Sequence, residues 1–147
     1  MEITYAVDAT HIPKTLRVSG VKYLNVDVDD SELGNIKQYF EPVAHFVSEA
    51  KTMNSKVLIY CAAGISRSAA LCMTTLMELE DLTLSEAYRE VLVARPMIAP
   101  NIGFWRQMIA FEAEKRDGKT SVELLKGMRR PVPSVYLNRS GILSHGK

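Results

Sequence analysis

A short apolar run, Val57-Leu58-Ile59-Tyr60, leads into a loop of mostly small residues from Cys61 to Ser68, and the loop leads into Ala69 to Met77, apolar on nearly every side. This succession restricts the fold more than any other stretch of the chain. An unbroken apolar run of that length suits a central strand buried on both faces, and a helix without a polar face must sit inside the fold. The expected class is therefore α/β, a small central mixed sheet flanked by helices. With 147 residues, 47% of them hydrophobic, the chain holds one domain's worth of sequence and can bury roughly 68–70% of the surface it exposes when unfolded.

The other elements fall around that unit. Ile3 to Val7 and Val21 to Val28 carry strand signals, the second bounded by Ser19-Gly20 and an acidic turn. Ile36, Tyr39, Phe40, Val43, Phe46, Val47 and Ala50 recur at the spacing of one helix face, with Ser31 or Asn35 placed to cap its start. Thr83-Leu84-Ser85-Glu86 is a capping box for a helix to about Ala94, stopped by Pro96. Asn101 caps a further helix whose apolar stripe, Phe104, Trp105, Met108, Ile109 and Phe111, continues to about Arg116. Beyond it, residues 117–147 hold six basic side chains against two acidic ones. Pro131-Val132-Pro133 and the last residues read as extended rather than packed, with a helical turn or two expected between Val122 and Met128. Residues 1–116 thus read as the folded domain and residues 117–147 as a mildly basic C-terminal extension.

Eighteen basic against 17 acidic side chains leave a net charge of +1, which supplies no global field for nucleic acid or an anionic membrane. Any anion must be held locally. No stretch reads as a membrane span or a signal peptide. Cys61 and Cys72 lack paired spacing, which points to a reducing compartment: the cytoplasm, with the nucleus as the alternative. His11, His45 and His145 have no ligand spacing, so neither a metal nor another cofactor is expected.

The loop itself is suited to a phosphate. A loop curling over the N-terminus of a helix turns backbone N–H groups inward, and the helix end adds roughly half a positive charge. Gly64 allows a backbone conformation that most residues resist, Ala62 and Ala63 keep the cradle clear, and Arg67 offers a planar fork of donors to two phosphoryl oxygens. In the same field the pKa of Cys61 should fall from about 8.5 toward roughly 3.5–7.5, making it a thiolate at neutral pH. A thiolate beneath a phosphate monoester is a nucleophile aimed at phosphorus. The departing oxygen then needs a proton, and Asp27, Asp29 and Asp30 are the candidate donors. Ser66 or Ser68 is placed to cap the helix, and Ser68 also to hydrogen-bond the departing thiolate.

The segments VLIYCAAGISRSAA (57–70) and RPMIAPNIGFWRQ (95–107) resemble those of the atypical dual-specificity protein phosphatases, in the cysteine-based protein tyrosine phosphatase superfamily. They are most similar to the subgroup of dual specificity phosphatases 14, 18 and 21. The likeness runs from about Ile3 to Glu114 and more weakly through Pro133-Ser134-Val135-Tyr136. It implies the cysteine phosphatase fold, with a phosphate-binding loop between a central strand and a buried helix, and makes residues 1–116 the catalytic domain. It further implies hydrolysis of phosphotyrosine and phosphoserine/phosphothreonine in protein substrates through a cysteinyl-phosphate. The resemblance puts the nucleophile on Cys61, the phosphate-binding arginine on Arg67, the general acid on Asp30 and the assisting hydroxyl on Ser68. Substrate binding falls to Ala62, Ala63, Gly64, Ile65, Ser66 and Arg67.

Two departures accompany the likeness. Tyr60 stands where the wider family usually has histidine, and family domains begin with a strand and a helix upstream of the segment matching Ile3, so an N-terminally shortened domain is expected. A phosphopeptide-binding pseudophosphatase or scaffold is the alternative if such a domain is inactive. Phosphoinositides and polyphosphates are disfavoured, because no basic residue lies between Cys61 and Arg67. Phosphorylated proteins are the expected partners. Cys72 and Trp105 read as core residues.

Overall fold

Strand β1 (Ile3–Asp8) lies in the middle of a three-stranded sheet, between β2 (Lys22–Asn25) and β3 (Lys56–Tyr60). The computed structural model describes residues 2–12, 16–63, 65–126 and 130–137. Both pairings with β1 are parallel, with Val7 opposite Leu24 on one side and Ile59 on the other. Parallel neighbours require crossovers, and α1 (Phe40–Thr52) provides the one between β2 and β3. The expected class, a small sheet flanked by helices, is the one observed. Among the described residues no helix is long and apolar enough to cross a membrane.

β3 is not the strand buried on both faces that its sequence suggests. It is an edge strand of the described sheet. Val57 and Ile59 turn toward the core, while Leu58 is 46% exposed. The helices pack against one face, and the other carries an apolar hollow of about 420 Å³ lined by Ile3, Leu16, Val18, Val21, Tyr23 and Leu58 among others. An all-apolar run records that a strand is hydrophobic, not which neighbours cover it.

Helix α1 buries Phe40, Val43, Phe46 and Ala50, which lie on the face expected from the spacing, and Ala44 besides. Its start differs: a 3-10 turn, Lys37–Tyr39, precedes it, and no side chain caps it. Helix α2 (Arg67–Glu80) is enclosed, with Ala69, Ala70, Leu71, Met73 and Met77 all buried. Helix α3 (Leu84–Ala94) opens on the expected capping box: the Glu86 N–H donates to Thr83 Oγ1 at 3.1 Å and the Thr83 N–H to Glu86 Oε1 at 2.8 Å. Helix α4 (Ile102–Lys115) is capped by Asn101, whose Oδ1 accepts from the Phe104 N–H at 2.9 Å.

The C-terminal segment is not wholly the separate extension expected. Residues 121–126 and 132–137 fold back onto α3 and α4. Between Val122 and Met128 there is no helical turn in the described part; instead β4 (Leu124–Leu125) pairs antiparallel with β5 (Val132–Pro133). Val122 and Val135 are buried, and Tyr136 sets its ring tilted against Tyr88 and edge-on to Trp105, accepting from Trp105 Nε1–H at 3.2 Å. Fully buried Glu112 of α4 ties this segment down. Its carboxylate accepts from the Leu84 N–H at 2.9 Å and from the N–H and hydroxyl of Ser121, both at 2.7 Å. Ser121 Oγ in turn accepts from the Ser85 N–H at 2.9 Å, so the first N–H groups of α3 are satisfied from outside the helix. Composition concealed this packing, because only a few apolar residues, spaced among prolines and charges, carry it. Residues 138–147, with Arg139 and His145, lie outside the described residues.

Candidate active site

The turn from β3 into α2 brings Cys61 to the start of the helix. Cys61 Sγ lies 3.2 Å from Ser68 Oγ and 3.4 Å from the Ser68 backbone nitrogen. A sulfur anion there would receive two donors and face the positive end of α2. Ser68 is buried, so its hydroxyl is screened from competing water. Ala62 and Ala63 of the loop are exposed, Ile65 is half-buried, and Gly64 lies outside the described residues.

Arg67, the first residue of α2, is held from behind. Its Nη1 donates to the carbonyl of Thr10 at 3.1 Å and to that of Val28 at 3.2 Å, fastening the loops that follow β1 and β2 to the start of the helix. Its Nε is buried and has no hydrogen-bond partner among the described residues. A buried donor without an acceptor is costly to leave unmet, and a guanidinium N–H is the kind of donor that binds a phosphoryl oxygen.

The loop following β1 is itself anchored. Asp8 is 4% exposed; its Oδ1 accepts from the N–H and the hydroxyl of Thr10 at 3.0 and 2.6 Å, and its Oδ2 from Arg17 at 3.2 Å. Tyr60, the residue before Cys61, hydrogen-bonds the same carboxylate. Burial, then that bond, pushes its phenol up to about 12, so it stays protonated as a donor. Tyr60 thus binds the strand that leads into Cys61 to the end of β1.

The three aspartates of the acidic turn separate. Asp27 and Asp29 turn to His11, with oxygens 3.8 and 3.7 Å from its ring nitrogens. Asp30 turns the other way, and its Oδ1 accepts from Asn101 Nδ2 at 2.9 Å. Asn101 also donates its backbone N–H to Ser66 Oγ at 3.0 Å, and the nearby Ala99 N–H donates to the Ile65 carbonyl at 2.7 Å. Asp30 is therefore connected to the loop through Asn101. Ser66, at the N-cap position of α2, makes no capping bond with its side chain and receives Asn101 instead.

Asn101 is the site residue that sequence reasoning missed. Its place before an apolar helix marked it as a cap, which it is, but nothing local shows where the other half of its amide goes. The carbonyls of Thr10 and Val28 have no sequence signal at all. Cys72 lies one turn beyond Ser68 in α2, and burial pushes its thiol up to about 11. Among the described residues no group of three or more His, Cys, Asp or Glu side chains is placed to hold a metal ion.

Comparison with known proteins agrees with this geometry. The family model "Dual specificity phosphatase, catalytic domain" matches residues 1–114. The chain is 37% identical over 138 residues to dual specificity protein phosphatase 14 of Mus musculus, covering 94% of this chain and 69% of that protein. It is 34% identical over 116 residues to dual specificity protein phosphatase 18 of Homo sapiens, covering 79% and 61%. The crystal structure of human DUSP28 superposes with a TM-score of 0.75 at 32% identity, covering 78% of this chain and 77% of that one. A mouse putative dual specificity phosphatase complexed with zinc tungstate gives 0.74 at 33% identity, covering 78% and 72%. With a cysteine, an arginine and a hydroxyl gathered at one helix end and a family match over most of its length, the chain belongs to the dual-specificity protein phosphatases.

Proposed function

We infer that this dual-specificity protein phosphatase works through Cys61, with Arg67, Asp30 and Ser68 in the roles that the family resemblance implies. The sulfur anion attacks phosphorus while the bond from phosphorus to the leaving oxygen breaks, and protonated Asp30 gives its proton to that oxygen. Water then attacks the cysteinyl-phosphate and gives a proton to the Asp30 carboxylate. The phosphorus–sulfur bond breaks, and the Ser68 hydroxyl steadies the returning thiolate. Ester and water become alcohol or phenol and inorganic phosphate, and every step uses side chains of this chain. Arg67 and the loop from Ala62 to Ser66 hold the phosphoryl oxygens.

The observation that carries this reading is the placement of Cys61 Sγ against both donors of Ser68 at the start of α2. Asp30 is preferred over Asp27 and Asp29 because it alone of the three joins the loop through Asn101. The scaffold alternative is not favoured, since nucleophile, arginine and hydroxyl are all present and assembled. The substrates are phosphotyrosine and phosphoserine/phosphothreonine in proteins. Two free cysteines, Cys61 and Cys72, fit a reducing cytoplasm, with the nucleus as the alternative.

The test is phosphate release from phosphotyrosine and phosphothreonine peptides. The intact chain should turn over both, and Cys61→Ser should abolish release while still binding the peptide. Turnover persisting in Cys61→Ser, or binding without turnover by the intact chain, overturns the reading.

A further inference from the structure

The segment from Asp29 to Lys37 carries Asp30 yet has little structure of its own. Its internal bonds are short-range, from the Ser31 N–H to Asp29 at 2.9 Å, the Gly34 N–H to Ser31 at 3.1 Å and the Ile36 N–H to Gly34 at 3.1 Å. Asp30, Ser31, Glu32 and Leu33 are exposed. Turn bonds of this kind fix local shape without fixing where the segment lies on the molecule. We propose that α4 is the template that locates it, with Gly103 and Gln107 as positioning residues for Asp30. The proposal rests on Asp30 being the general acid.

Gln107 grips the segment at two points. Its Nε2 donates to the Gly34 carbonyl at 2.7 Å, and its Oε1 accepts from the Lys37 N–H at 2.8 Å. One amide thereby spans the segment's exit into the 3-10 turn, where a side-chain cap for the following helix was expected. Gly103 sets the approach at the other end of the contact. A Cβ built there would stand 2.1 Å from the Glu32 carbonyl oxygen and 2.6 Å from the Glu32 Cα. Both are backbone atoms and cannot rotate away, so a side chain would push the segment off by more than about 1 Å to regain ordinary contact. Misplacing a catalytic group by that distance can cost about 100-fold. The Asn101 bond to Asp30 then completes the contact from the N-cap of the same helix.

Two aryl phosphates test this on the full chain. Phenyl phosphate has a poor leaving group that needs a proton, and 2,4-dinitrophenyl phosphate has a good one that does not. Asp30→Asn should lose about 100-fold or more in kcat/KM, which covers only the steps up to departure of the leaving group, on phenyl phosphate and little on the dinitrophenyl ester. Gln107→Leu should lose about tenfold in kcat/KM on phenyl phosphate and less than about twofold on the other, as expected of a displaced acid. Gly103→Ala should follow the same pattern more strongly. If Gly103→Ala does not fold, Gln107→Leu decides the matter. Equal losses on both substrates, or none on phenyl phosphate, overturn the template while a selective Asp30→Asn leaves the acid standing. An Asp30→Asn variant without selectivity removes the acid assignment, and the template with it.

Discussion

Replacing Glu112 with alanine probes how firmly the C-terminal segment belongs to the domain. The carboxylate is fully buried and accepts three hydrogen bonds, one from Leu84 at the start of α3 and two from Ser121. Without it the buried Leu84 N–H loses its acceptor, at about 1–3 kcal/mol. Ser121 is exposed and can turn to water, so each of its bonds counts for only about 0.5–1.5 kcal/mol. Relief of the carboxylate's desolvation offsets part of the sum, leaving a net loss of about 3 kcal/mol. Against the 5–15 kcal/mol that domains typically have, this is a large fraction. At roughly 3 °C per kcal/mol it lowers Tm by about 10 °C. Urea unfolding followed by tryptophan fluorescence is the assay, since Trp105 sits beside the segment. Glu112→Gln, which keeps one acceptor oxygen, should fall between the two. A Glu112→Ala protein within about 1 kcal/mol of the parent would refute the reasoning, because desolvation would then cancel the bonds.

Three further outcomes follow from the site. Iodoacetamide at neutral pH should label Cys61 and spare Cys72, whose thiol burial raises to about 11, until the protein is unfolded; mass spectrometry showing Cys72 labelled first contradicts this. Tyr60→Phe should destabilise the protein by a constant amount up to about pH 10. Because the folded phenol is raised to about 12, the gap between parent and variant should shrink from there through pH 12, and a gap that stays level removes the Asp8 bond as its source. Asp30→Ala should lower kcat by about 100-fold with little change in KM, whereas Asp29→Ala, whose carboxylate faces His11, should leave kcat nearly unchanged; equal losses would move the acid.

The parts of the fold readable in the sequence are those whose signals are local. The Thr83–Glu86 capping box and the Asn101 cap stand where their residue types placed them, and the enclosed face of α2 follows from its composition. The segment from Cys61 to Ser68 stands out in the sequence because strand, cysteine, glycine, arginine and helix are contiguous there. What escaped depends on partners distant in sequence. The edge position of β3 in the described sheet depends on its strand partners, the entry to the 3-10 turn before α1 on an amide of Gln107, and the packing of residues 121–126 and 132–137 on Glu112, Tyr88 and Trp105. The same holds inside the site, where Asn101 bridges Asp30 and Ser66 across 71 and 35 residues of chain.

The two carbonyls that hold Arg67 from behind have an entropic consequence. A free arginine side chain surrenders about 2 kcal/mol of rotamer freedom when it is immobilised. Here Thr10 and Val28 impose that loss as the chain folds, so an arriving phosphate monoester need not cover it. A lysine in this position would have to be frozen afresh at each encounter.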